Sequence, residues 1–260
     1  MKKINWITTI VFVGVLAALA LGCNLSKTSS NSSTTSASND NKASNSSSSP
    51  AANSQDHSKS AATAPKPDIA GKYNITGTNP DGAAYKGTME VITRGDVYQF
   101  RWDAGSQYDG VGVQNGNIVA VAYTTGSNGK GCGVVDYDIQ GDGTLDGKWG
   151  YWGTNEMGTE TATRTSGSSL AGEYDGTGKN PDGKQYKVKL TVEPAGNLFH
   201  FVWSNNSDGV GIKRGNNVAV GIGGSRCGFV TYQVQSDGSL DGIWGGGGSD
   251  KTGTEKAVKQ

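Results

Sequence analysis

The chain has 260 residues, 41 of them glycine, and its 23 basic side chains are balanced by 23 acidic ones. Such a balance gives no electrostatic footprint for nucleic acid. Two histidines and three cysteines leave little material for histidine-dependent catalysis or for zinc sites built from His and Cys, and neither a dinucleotide fingerprint nor a phosphate loop is present.

Lys2 and Lys3 precede an apolar run from Ile10 to Leu21, which ends in LALGC at residues 19–23. The run is short for a membrane span and has the form of a secretory signal. Its small residues before Cys23 resemble the lipobox of bacterial lipoproteins, although Ala20 and Leu21 depart from the commonest pattern. The resemblance implies a signal peptide and lipobox over 1–23, and membrane attachment through a lipid on Cys23. The expected location is the bacterial cell envelope, on the outer side of the cytoplasmic membrane or at the outer membrane.

Between Ser26 and Asp68 there is no Val, Ile, Leu, Met, Phe, Trp or Tyr. Nothing there offsets the entropy of ordering, so residues 24–68 are expected to be a disordered Ser/Asn/Thr-rich linker. A flexible coil of that length spans roughly 35–40 Å.

The rest is one unit written twice. IAGKYNITGTNPDGAAYKGTMEV (69–91) matches LAGEYDGTGKNPDGKQYKVKLTV (170–192), and YQFRW (98–102) matches FHFVW (199–203). DGVGV (109–113) pairs with DGVGI (208–212), GDGTLDGKWG (141–150) with SDGSLDGIWG (236–245), and GTE recurs at 158–160 and 253–255. Within each copy the apolar period is two: Tyr186, Val188, Leu190 and Val192 alternate with Lys187, Lys189 and Thr191. NPDG, NG, GDG and SDG supply tight turns at short intervals.

These patterns predict an all-β protein: two tandem antiparallel barrels of about eight strands each, over 69–164 and 170–259, joined by TSGSS (165–169). Closure into an up-and-down meander, avidin- or lipocalin-like in architecture, hides the apolar face of every strand and leaves no edges. Two β-sandwiches are the alternative. The inward aromatics suggest a filled barrel interior.

The repeated motif also resembles a poorly characterised group of small exported bacterial β-domains, some of them labelled fibronectin-binding. The matching residues run from Gly71 to Trp149 and from Gly172 to Trp244, with Phe199 departing from the pattern. The resemblance implies a binding role for the unit.

Candidate chemistry is sparse. His57 lies in the linker, and His200 alternates with core aromatics, with Gln99 in its place in the first copy. Asp109, Asp146, Asp208 and Asp241 invite a carboxylate-pair hydrolase, but each stands in an Asp-Gly turn signal. Neither GGGGSD (245–250) nor GDGTLDG meets the requirements of a calcium loop. No metal, cofactor or catalytic residue is expected.

Candidate binding residues are Tyr123, Tyr151 and Trp152, which the second copy lacks. Trp152 has the outward parity and is a candidate contact for a protein or glycan ligand. Cys132 and Cys227 are matched across the copies; they form either an inter-repeat disulfide, if the units pack about a rough two-fold axis, or two separate thiols. The expected function is a membrane-anchored, non-enzymatic binding or adhesion protein. An envelope structural or inhibitor protein is the alternative, and a carboxylate-dependent hydrolase is the third.

Overall fold

The computed structural model describes residues 66–246 and 248–260. The signal, Cys23 and all but the last residues of the linker lie outside the described residues. The first five strands are β1 (Gly71–Thr78), β2 (Ala84–Arg94), β3 (Val97–Asp103), β4 (Gln107–Asn115) and β5 (Ile118–Thr125). Next come β6 (Gly133–Ile139), β7 (Leu145–Tyr151), β8 (Gly158–Ser168), β9 (Ala171–Lys179), β10 (Gln185–Ala195) and β11 (Leu198–Trp203). The chain closes with β12 (Ser207–Arg214), β13 (Asn217–Ile222), β14 (Gly228–Val234), β15 (Leu240–Gly245) and β16 (Thr252–Lys259), and a 3-10 turn at Gly224–Arg226 precedes β14.

These strands build two closed eight-stranded antiparallel barrels, the architecture the alternating pattern predicts. Their boundaries differ from the sequence copies. Strands β6 to β13 pair in unbroken succession, and β13 closes on β6, so the second barrel is a continuous insertion. The first barrel is made of β1–β5 and β14–β16, with β14 on β5 and the last strand, β16, on β1. We call them the terminal and the inserted barrel. Each therefore takes five strands from one copy and three from the other, which corrects the assignment of one barrel each to 69–164 and 170–259.

Two physical causes account for the exchange. TSGSS is not a linker: residues 165–168 belong to β8, and only Ser169 and Leu170 separate it from β9. A two-residue connection with a positive-φ residue (Ser169, 59°) makes a hairpin, so β8 and β9 must be neighbours in one barrel. The second cause is degeneracy. β6 and β14 carry the same alternation, so β5 pairs with β14, Val121 opposite Val230, as readily as it would with its own successor. Segments 126–132 and 223–227 become crossovers between barrels rather than hairpin loops.

The barrels sit side by side about a rough two-fold axis. The outward side chains of β4, β5, β6 and β13 (Val111, Val113, Ala120, Ala122, Val134 and Ala219) form an apolar layer between them. Leu198, Ile212 and Phe229 repeat that layer across the axis. Strands buried on both faces read as continuous apolar runs, as IVAVA at 118–122 does. Loop contacts also come in pairs, Gly95 with Asn155 and Gly196 with Asp250.

The far end of each barrel is plugged. Ile69 and Leu170 are buried there, and their carbonyls accept the Tyr73 and Tyr174 hydroxyls, at 2.7 Å in each case. This is the structural meaning of the repeated [IL]AG-x-Y.

Candidate functional site

At the opposite end, between the NPDG turns and the crossovers, each barrel holds an open cup. The terminal cup has a volume of about 210 Å³ and the inserted cup about 330 Å³. The aromatics do point inward as their parity requires, but they leave room between them, so the expected filled interior is not found.

The floor of each cup is a buried glutamate. Glu255 accepts hydrogen bonds from the Tyr85 hydroxyl (2.9 Å), the Trp102 indole (3.2 Å) and the Tyr232 hydroxyl. Glu160 accepts the same three from Tyr186 (2.9 Å), Trp203 (3.1 Å) and Tyr137 (2.5 Å). The glutamates reach the interior because GTE begins a strand in which Gly158, Glu160 and Ala162, like Gly253, Glu255 and Ala257, all face inward. The glycine of that motif lies beneath the Trp149 or Trp244 indole, where any Cβ would collide with the ring.

Burial pushes the Glu255 carboxyl above its ordinary range, against the pull of Tyr232, Tyr85 and Trp102. The tyrosines respond in the same sense: burial, then the charge of the glutamate, holds the Tyr232 and Tyr137 hydroxyls far above theirs. Among the described residues no lysine or arginine pairs with either glutamate. Each floor is thus a carboxylate held by three neutral donors, without a counter-ion.

The walls differ. In the terminal cup Tyr123 stands among Tyr108 (5.8 Å between centroids), Trp102 (6.0 Å) and Trp244 (6.4 Å), and Tyr85 meets Trp244 edge-on at 6.3 Å. The inserted cup has Ser207 and Ile222 at the positions equivalent to Tyr108 and Tyr123. There Tyr151 packs edge-on against Trp149 at 5.8 Å, and Asn205 and Lys187 add polar rim.

Tyr123 and Tyr151 therefore both line cups, but in different barrels, because the exchange separates strands of one copy. Trp152 lies elsewhere. It is half-buried in the layer between barrels, and its indole N–H donates to Asp109 Oδ1 at 2.7 Å. Asp109 is itself buried and also held by Gln99. The other carboxylates do not form a shared site: Asp208 lies 3.8 Å from His200, Asp146 accepts the Thr161 hydroxyl, and the Asp241 backbone carbonyl accepts Arg214. Among the described residues no group of three or more His, Cys, Asp or Glu gathers as a metal site requires.

Cys132 and Cys227 form a disulfide, with Cα atoms 5.8 Å apart. Each precedes the strand that enters the other barrel, so the bond ties the two crossovers together. Sequence reasoning missed Glu160 and Glu255. The available signal was GTE in register with inward Ala162 and Ala257, where a glutamate takes a core position in both copies.

No family model, curated protein or solved structure compared with this chain matches it.

Proposed function

We propose that the protein is a non-enzymatic binding protein whose two barrels each take a small solute in the cup. The observation that carries this reading is the recurrence, in both barrels, of one carboxylate–Tyr–Tyr–Trp floor beneath an open aromatic cavity. Concave, largely apolar sites with a few fixed polar groups are the usual form of small-molecule sites. The bulk of a β-barrel can instead be filled with side chains, and here it is filled at one end only. The lipid on Cys23 and the linker would hold the barrels at the outer face of an envelope membrane, where they meet solutes from outside. In this reading the contact residues are Tyr123 and Tyr151, inside the cups, and Trp152 serves the join between barrels.

Tryptophans line both cups, so indole fluorescence of the full chain should change saturably with a subset of a metabolite panel. Trp244→Phe and Trp149→Phe should each weaken the signal from one cup, leaving Trp102 or Trp203 as the remaining reporter. If no solute moves either the fluorescence or the melting temperature, while immobilised matrix proteins or glycans are bound, the adhesion reading replaces this one.

A further inference from the structure

We infer that the terminal cup is a site for a small organic cation of the quaternary ammonium type. The inference rests on the cups being binding sites and deepens that reading for one of them. Three features of the terminal cup converge on it.

The first is charge without a partner. Glu255 is 7% exposed, and among the described residues no basic side chain lines its cavity. A carboxylate taken out of water is costly unless an opposite charge accompanies it. Three neutral donors solvate Glu255, but none cancels its charge.

The second is the wall. Tyr85, Trp102, Tyr108, Tyr123 and Trp244 surround the space above the carboxylate. Aromatic faces carry negative potential and attract cations, and cages of this composition suit methylated ammonium groups. The charge at the floor and the quadrupoles of the wall act in the same direction.

The third is the shortage of free acceptor sites on the carboxylate itself. A carboxylate offers about four lone-pair sites, and Tyr85, Tyr232 and Trp102 occupy three on Glu255. At the carboxylate a primary ammonium, with three N–H groups to satisfy, would find about one free site and would have to turn to Asn79 and the tyrosine oxygens for the rest. A fully alkylated ammonium donates no hydrogen bond and gains the electrostatic attraction without that loss. At about 210 Å³ the cup lies below the roughly 300–1,000 Å³ of drug-sized pockets, which fits a head group. The inserted cup is less suited: Ser207 and Ile222 replace two of the tyrosines, Tyr151 restores only one ring, and Lys187 stands at its rim.

The test is calorimetric titration of the full chain with choline, with glycerophosphocholine, and with 3,3-dimethylbutan-1-ol, the uncharged isostere of choline. Choline or glycerophosphocholine should bind at least tenfold more tightly than the isostere. A preference for choline assigns a free solute, and a preference for glycerophosphocholine a lipid-derived head group. Glu255→Gln should cost tenfold or more. Tyr108→Ser and Tyr123→Ile import residues that the inserted barrel already folds with, and each should weaken binding severalfold with little change in melting temperature.

Equal binding of choline and its isostere would overturn the cation assignment while leaving the cup as a binding site. Cation binding untouched by both tyrosine variants would overturn the location. No binding of any of the three would overturn the inference, and the metabolite panel would then decide whether the cups bind anything.

Discussion

Asp136 stands on β6 with its side chain in the layer between the barrels, 0% exposed, and neither carboxylate oxygen has a hydrogen-bond partner. The amides of Asn115 on β4 and Asn217 on β13 donate instead to its neighbour Asp138. Burial, reinforced by the charge of Asp138, raises the Asp136 carboxyl to about 7, and Asn115, Lys148 and Asn217 offset this only in part. In the unfolded chain the group titrates near 4.

An acid whose folded value is raised contributes its stability at low pH. Below about pH 4 it is protonated in both states. From there to about pH 7 the folded state holds a proton that the unfolded state has released, so stability falls as pH rises. At about 1.4 kcal/mol per pH unit over roughly three units, the deficit reaches about 4 kcal/mol at neutral pH.

The second copy places Thr231, also buried, at the equivalent position. Asp136→Thr should therefore stabilise the protein by about 4 kcal/mol more at pH 8 than at pH 4. Urea unfolding of parent and variant across that range reads the difference directly, because contributions common to both chains cancel. Stability curves that run parallel with pH would refute the reasoning.

Residues 133–222 expressed alone should show a cooperative melt and fixed near-ultraviolet dichroism, since they contain all eight strands of a closed barrel; an unstructured fragment would contradict the insertion. Replacing both Cys132 and Cys227 by serine releases a loop of 95 residues in the unfolded chain, and urea unfolding should show a loss of about 4–5 kcal/mol in the chain-entropy account. Trp152→Ala removes a hydrogen bond from buried Asp109 and opens the layer between the barrels, so it should cost about 3 kcal/mol in the same assay yet leave solute binding in both cups intact.

Much of this fold was legible because period-two alternation and turn residues are local signals. Tyr186, Val188, Leu190 and Val192 mark one face of β10 without reference to any other strand. Which strand closes which barrel is a different question. GCGVVDY and RCGFVTY satisfy the edge of β5 equally well, so the exchange depends on connection length, visible only at Ser169–Leu170, and on the seam that IVAVA covers with its second face. Parity correctly set Tyr151 apart from Trp152, but it could not reveal that the inward rings of Trp102, Tyr108 and Trp244 stop short of meeting. The floor was hidden for a simpler reason. A Glu between two threonines reads as a solvated strand face, and only its register with Gly158 and Ala162 turns it inward.

The disulfide at the crossovers also determines how the molecule carries mechanical load. A pull between the start of β1 and the end of β16 meets, at Cys132, a covalent shortcut to Cys227 that bypasses all 90 residues of β6 to β13. Tension runs through the terminal barrel and around the inserted one. Because Tyr73 lies opposite Lys259, the same pull peels β1 from β16 one hydrogen-bonded pair at a time. Under strain the terminal cup would open first, and the inserted cup would keep its shape while the bond remained oxidised.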